Sequence, residues 1–196
     1  MTLILALIGG YILGAIPFGL VIARTLGLGD LRKIGSGNIG ATNVLRTGHK
    51  GAAFATVVLD SGKGAIAVLL TLAITGPGLA PAVAGLGAFL GHLYPVWLNF
   101  KGGKGVATYL GTLLAITFIG GLLTCATWLA VALVGRTSSL SALVAAAAAP
   151  IWLWLAGAGV AVLPAALMAA LIFWKHQENI LRLQAGTEPR ITFKKD

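Results

Sequence analysis

The chain has 196 residues, of which 58% are hydrophobic and only 10% charged, and its mean hydropathy is +0.94. That balance excludes a soluble globular domain and predicts an all-α, polytopic integral membrane protein with no separate soluble domain anywhere in residues 1–196. The net charge of +9 does not point to nucleic acid, because the basic residues are scattered among apolar segments without an aromatic-bearing polar domain to hold a strand; membrane lipid and small anionic substrates are the partners it suits.

A helix needs about 20 apolar residues to cross the hydrocarbon core, and Leu3 to Ala23 is the first stretch to qualify. It lacks a basic flank and a small-residue cleavage site, so it is expected to stay as a helix and not to be removed as a leader. The polar loop from Gly29 to Lys50 follows, and within it Gly35 to Arg46 reads GSGNIGATNVLR. Gly35, Gly37 and Gly40 leave the backbone accessible, Ser36, Asn38, Thr42 and Asn43 offer short hydrogen-bonding groups, and Arg46 supplies a planar fork suited to phosphate.

Gly51 to Thr75 is the second span. Asp60 and Lys63, three apart within it, are expected to face inward and pair, since an unpaired charge in lipid is costly; a structural pair and a substrate contact both remain open. Leu79 to Leu98 is the third span and carries His92, whose expected role is an interhelical hydrogen bond. Next, Phe100 to Thr108 reads FKGGKGVAT. Gly102, Gly103 and Gly105 let backbone amides approach an anion, the helix beginning near Gly105 points its positive end there, and Lys104 adds a mobile charge. Neither this loop nor GSGNIGAT has the order of a Walker A loop, which argues against nucleotide hydrolysis. Lys101 is as readily a topology signal as a ligand.

Val106 to Gly135 and Leu140 to Trp174 are two long apolar runs, the second interrupted around Gly157 to Pro164. If the first turns back at Gly120 and Gly121, the chain makes seven crossings with its N-terminus outside and its C-terminus in the cytoplasm. Every lysine and arginine except Lys63 then lies on the cytoplasmic side, including Lys194 and Lys195, as the positive-inside rule requires. The fourth and fifth helices would then each have about fifteen residues, roughly 22 Å long. Cys125 is expected to be inert packing. Ser138, Ser139 and Ser141 follow Arg136, and Ser141 is a candidate phosphate donor, although helix capping explains these serines equally well. The last polar stretch begins WKHQEN at Trp174; His176 and Asn179 are three apart and share a helical face, where a histidine can move a proton or bond a phosphate.

These three islands, GSGNIGATNVLR, GHLYPVWLNFKGGKGVAT and HQENILRLQAGTEP, resemble in order and spacing the bacterial acyl-phosphate-dependent glycerol-3-phosphate acyltransferases, the PlsY family. The resemblance implies a seven-helix enzyme of the bacterial cytoplasmic (inner) membrane. It acylates the 1-hydroxyl of glycerol 3-phosphate from a fatty acyl phosphate, giving lysophosphatidic acid and phosphate on the cytoplasmic side. It further implies a functional link to the soluble enzyme that makes acyl phosphate. Ser36 and Arg46 match the serine and arginine of the first motif, Gly102, Gly103 and Gly105 its phosphate-binding loop, and His176 and Asn179 the catalytic pair, with Glu178 taken as structural. The HxxxxD signature of acyl-CoA-using enzymes is absent, because Phe54, Trp97 and Leu181 stand five residues after His49, His92 and His176. No cofactor and no metal are expected, since lysine and arginine can neutralise the phosphates. Lys104 and Arg46 are assigned to the acyl phosphate, and Ser36, Asn38 and Asn43 to glycerol 3-phosphate. The rival reading is an organophosphate or phosphate transporter, which should place its site near the bilayer midplane.

Overall fold

The computed structural model describes residues 1–191, so Lys194 and Lys195 lie outside the described residues. Ten α-helices are described: α1 (Thr2–Gly14), α2 (Phe18–Thr25), α3 (Ala41–Leu45), α4 (Lys50–Thr75), α5 (Leu79–Leu93), α6 (Val106–Ile116), α7 (Phe118–Gly135), α8 (Ser138–Leu155), α9 (Val162–Lys175) and α10 (Gln177–Gln184). No strand occurs among the described residues. Five helical stretches are long and apolar enough to cross a membrane: Thr2–Thr25, Lys50–Thr75, Leu79–Leu98, Phe118–Gly135 and Ser138–Leu155. Gly159–Lys175 with Gln177–Gln184 makes a sixth that bends by 61°, and α6 is a shorter apolar helix.

The first span is broken where the sequence predicted continuity. Pro17 has no amide proton and its ring excludes a helical carbonyl four residues earlier, so α1 stops at Gly14 and α2 restarts at Phe18. Two carbonyls freed by the break find side-chain donors: Trp97 Nε1 donates to the Ala15 carbonyl at 2.9 Å and Lys63 Nζ to the Ile16 carbonyl at 2.8 Å. Lys63 also lies 2.9 Å from Asp60 Oδ1, the inward pair expected from their spacing.

The reversal inside the thirty-residue run falls at Thr117, not at Gly120 and Gly121. Thr117 takes an extended backbone, φ −150° and ψ 117°, between the end of α6 and the start of α7. The two glycines are buried in the first turn of α7, where a Cβ on Gly121 would run into the backbone of Leu114. Gly121 is small so that α7 can lie against α6, Gly120 faces Thr117 and α8, and the chain turns before reaching either. The division is therefore unequal: 11 residues in α6 and 18 in α7, roughly 16 Å and 27 Å at 1.5 Å per residue. The short α6 leaves a hollow of about 280 Å³ beneath its C-terminal end, bordered by Val68, Pro81, Thr117 and Ala158. This hollow lies at the end of the bundle opposite the polar loops.

Packing relies on close backbone approach. Along α1 and α5, a Cβ on Gly10 or Gly14 would collide with the carbonyls of Ala84 or Ala88, and one on Gly87 or Gly91 with those of Leu7 or Tyr11. In lipid such contacts hold helices by van der Waals attraction, since apolar burial gains little there. Phe89, Leu93, Tyr109, Leu113, Leu153, Met168 and Ile172 fill the centre between α5, α6, α8 and α9, and the Tyr109 hydroxyl donates to the Ala165 carbonyl at 3.2 Å. Gly14→Leu is expected to lower stability by about 1–3 kcal/mol, the cost of overpacking a closed contact. Thermal unfolding in detergent measures it, with Gly9→Leu as control, because a Cβ at Gly9 meets nothing within 4 Å.

Candidate functional site

Alternating helix directions bring four polar segments to one end of the bundle: the loop and short helix between α2 and α4, the loop between α5 and α6, the start of α8, and α10 with the tail after it. In the first segment Asn43 is fully buried. Its Nδ2 donates to the carbonyls of Leu31 at 2.7 Å and Ile34 at 2.9 Å, and its Oδ1 accepts from Arg46 Nη1 at 3.3 Å. The side chain proposed to seat a substrate is thus committed to shaping its own loop and aiming Arg46. Ser36 and Gly37 stand exposed at the turn above it, with Asn38 half-buried and Gly40 capping α3. Thr42 lies 3.5 Å from Ser138, hydroxyl to hydroxyl, which joins this segment to α8.

The second segment folds back on the end of α5. The Gly102 amide donates to the Leu93 carbonyl at 3.1 Å and the Gly103 amide to the His92 carbonyl at 3.1 Å. A Cβ at either glycine would strike those same residues, His92 above all. These amides are therefore not available to an anion, contrary to the expectation that all the loop glycines cradle one. Availability begins one residue later. Gly105 turns with φ +80° to open α6, and the amides of Lys104 to Thr108 meet no backbone carbonyl among the described residues. They form the N-terminal end of α6, where the helix dipole favours negative charge.

Lys104 leads from this loop to the tail. Its Nζ donates to Asn179 Oδ1 on α10, and Asn179 Nδ2 donates to Glu188 Oε1 at 2.6 Å. Glu188 collects two further donors, Ser139 Oγ at 2.7 Å and Arg182 Nε at 2.7 Å. Burial pushes the Glu188 carboxyl up, but the bonds from Asn179, Ser139 and Arg182 outweigh it and hold the group below the ordinary carboxylate value. Burial, reinforced by the charge of Arg182, pulls the Lys104 ammonium down, with Glu188 opposing and Arg46 adding to the fall. Three cations thus bear on one place against two carboxylates, the bound Glu188 and the exposed Glu178, an arrangement still short of negative charge.

His176 sits at the bend just beyond α9. Its Nδ1 lies 2.8 Å from the Ile172 carbonyl, which must be the acceptor, so Nδ1 carries the proton and Nε2 is left as an acceptor. Burial lowers the ring's pKa to about 4, with Lys104 adding to the fall. Ser141 is fully buried and its hydroxyl donates to the Thr137 carbonyl at 2.8 Å, a local helical bond. Ser138 and Ser139, and not Ser141, are the serines that join the site. Glu178 is the more exposed of the two tail glutamates and pairs with Arg182 at 3.9 Å, while Glu188 is the one bound into the network. The signal for Glu188 was present: it is one of only five acidic residues, following Gly186, whose φ of +69° ends α10 and lets the tail return.

A bundle of membrane-length apolar helices with a cation-rich polar site at one end defines an integral membrane protein with excess positive charge at its surface. The family model described as glycerol-3-phosphate acyltransferase matches residues 4–186. A Cereibacter sphaeroides protein named glycerol-3-phosphate acyltransferase is 64% identical over 190 residues, covering 97% of this chain and 94% of its own. One of the same name from Paramagnetospirillum magneticum is 57% identical over 196 residues, covering 100% and 96%. Crystal structures of PlsY (YgiH), an integral membrane glycerol 3-phosphate acyltransferase, superpose closely. Its glycerol 3-phosphate form gives a TM-score of 0.92 at 40% identity over 98% of this chain and 96% of the other; its lysophosphatidic acid form gives 0.90 at 39% with the same coverage. The chain belongs to the glycerol-3-phosphate acyltransferase family.

Two predictions follow from this geometry. Glu188→Gln is expected to cost about 1.5–3 kcal/mol, the worth of hydrogen bonds to a charged group. Because the folded pKa is lowered, the wild-type contribution is complete above the ordinary carboxylate value and is lost as pH falls through the folded one. Thermal unfolding against pH should show that acid loss in the wild type and a flatter profile in the variant. For His176, ring ¹⁵N spectra should show a neutral, Nδ1-protonated imidazole throughout pH 6–8, with titration only near pH 4.

Proposed function

We propose that this protein transfers a fatty acyl group from an acyl phosphate to the 1-hydroxyl of glycerol 3-phosphate, giving lysophosphatidic acid and inorganic phosphate, as one membrane-embedded domain over residues 1–196. The observation that carries the reading is the free amide end of α6 beside Lys104, which the Asn179–Glu188–Arg182 chain joins to the tail, with the charge of Arg46 also bearing on Lys104. Both substrates bring a phosphate to such a place, and the glycerol 3-phosphate and lysophosphatidic acid forms of the solved relatives support these as the acceptor and product.

Lys104 and the amides from Lys104 onward hold the acyl phosphate with Arg46, while Ser36, Gly37, Asn38, Gly40 and Thr42 line the glycerol 3-phosphate side. The 1-hydroxyl oxygen attacks the acyl carbonyl carbon, the bond from that carbon to the phosphate oxygen breaks, and phosphate leaves with the electron pair. Fixed donors favour this by neutralising charge as it builds on the leaving group. Glu188 is engaged by three donors and is a poor base. A His176 ring with a pKa of about 4 is a weaker base than a phosphate dianion, so a phosphate oxygen takes the 1-hydroxyl proton, while His176 Nε2 accepts from the substrate's other hydroxyl and so orients the glycerol. No cofactor or metal enters the scheme.

The positive-inside distribution supports a site facing the cytoplasm of a bacterial inner membrane, with seven crossings when α6 is counted, the N-terminus outside and the C-terminus inside. The soluble enzyme that makes acyl phosphate is the corresponding upstream partner. Purified protein given palmitoyl phosphate and glycerol 3-phosphate should release phosphate in proportion to lysophosphatidic acid formed; uptake of glycerol 3-phosphate into proteoliposomes without product would favour transport instead. Arg46→Ala should lower kcat/KM by about 10–150-fold, the value of one hydrogen bond from a charged group. His176→Ala should lower kcat by at least about 10-fold, and near-normal turnover would remove it from the scheme.

A further inference from the structure

Asp60 and Lys63 on α4 and His92 on α5 are ionisable groups that the scheme above does not use, and they are 2%, 2% and 5% exposed. Lys63 is satisfied twice, by Asp60 Oδ1 at 2.9 Å and the Ile16 carbonyl at 2.8 Å. Asp60 Oδ1 also faces His92 Nδ1 at 3.6 Å. On its far side His92 meets the KGGKG loop twice: its carbonyl accepts the Gly103 amide at 3.1 Å, and its Nε2 occupies the space a Cβ on Gly103 would need.

A buried pair that only neutralised itself would need Asp60 and Lys63 alone. The imidazole adds a rigid plate with one edge toward the carboxylate and the other against the loop, directly before Lys104. Ionisable groups inside a membrane bundle are costly and persist where they fix or move something. We propose that Asp60, braced by Lys63, orients His92, and that His92 is a positioning residue whose Nε2 edge sets the height of the loop. The loop then presents Lys104 and the amides after it at the phosphate. The inference rests on the reading of that loop as phosphate-binding. It explains why Gly102 and Gly103 spend their amides downward on α5, leaving the amides from Lys104 onward to face the substrate.

Two amides of similar bulk separate positioning from mere packing: Asn at position 92 carries its polar atom near the place of Nδ1, and Gln carries one near the place of Nε2. His92→Asn, His92→Gln and Lys104→Ala are compared with the wild type, with KM measured for acyl phosphate and for glycerol 3-phosphate. Lys104→Ala identifies the substrate bound by the loop. For that substrate His92→Asn should raise KM about 10-fold and His92→Gln less than about 3-fold, while the KM of the other substrate stays within about 2-fold in both. Equal effects of Asn and Gln, or equal shifts for both substrates, would overturn the positioning role. An unchanged KM for both substrates in Lys104→Ala would instead overturn the reading of the loop itself. If neither amide variant folds, the wild type decides: saturating inorganic phosphate should move the His92 Nε2 resonance, and a resonance that stays still contradicts the proposal.

Discussion

The chain of contacts from Lys104 through Asn179 to Glu188 holds the site together. It joins the α5–α6 loop to α10 and, through Ser139 and Arg182, to α8 and back to α10. A cation at the mouth of an apolar bundle repels its neighbours unless something balances it. In this protein the balance comes mainly from the Glu188 carboxylate, carried back by the turn at Gly186, with the exposed Glu178 beside Arg182 adding to it. The Ile191 amide then donates to the Arg136 carbonyl at 2.6 Å, which ties the returning tail to the end of α7. The remaining positive charge of Arg46, Lys104 and Arg182 is what an anionic substrate would complete.

The same economy appears beneath the site. The break at Pro17 frees carbonyls inside the bundle, and Lys63 and Trp97 satisfy them, so a kink that would otherwise be costly becomes an anchor for α4 and for the segment after α5. Asn43 does the equivalent work in the first loop, with its amide spent on two carbonyls and on Arg46. Polar side chains at this end of the protein divide into those consumed by the backbone, such as Asn43 and Ser141, and those left facing outward, such as Ser36, Thr42 and Arg46.

Much of this could be read from the sequence. Membrane-length apolar runs, the helix start after Gly105, the Asp60–Lys63 pair and the gathering of three polar islands at one end follow from hydropathy, glycine placement, spacing and charge asymmetry. Four features could not be read. The reversal at Thr117 left no mark because a single extended residue suffices, whereas the conspicuous glycines nearby serve packing. Pro17 was visible, but whether it kinks or breaks a helix depends on donors from Trp97 and Lys63, remote in sequence. The commitment of the Gly102 and Gly103 amides depends on α5 lying behind them. Glu188 was visible as one of five acidic residues, but its role was not, because its partners come from α8 and α10.

The central claim is that the phosphate sits on the amide end of α6 and Lys104, with the two preceding glycines turned away. Backbone ¹⁵N–¹H spectra of the protein titrated with inorganic phosphate measure this directly. The account predicts the largest shifts at the amides of Lys104 to Ala107, with those of Gly102 and Gly103 little changed. Largest shifts at Gly102 and Gly103, or none anywhere in the loop, would contradict it.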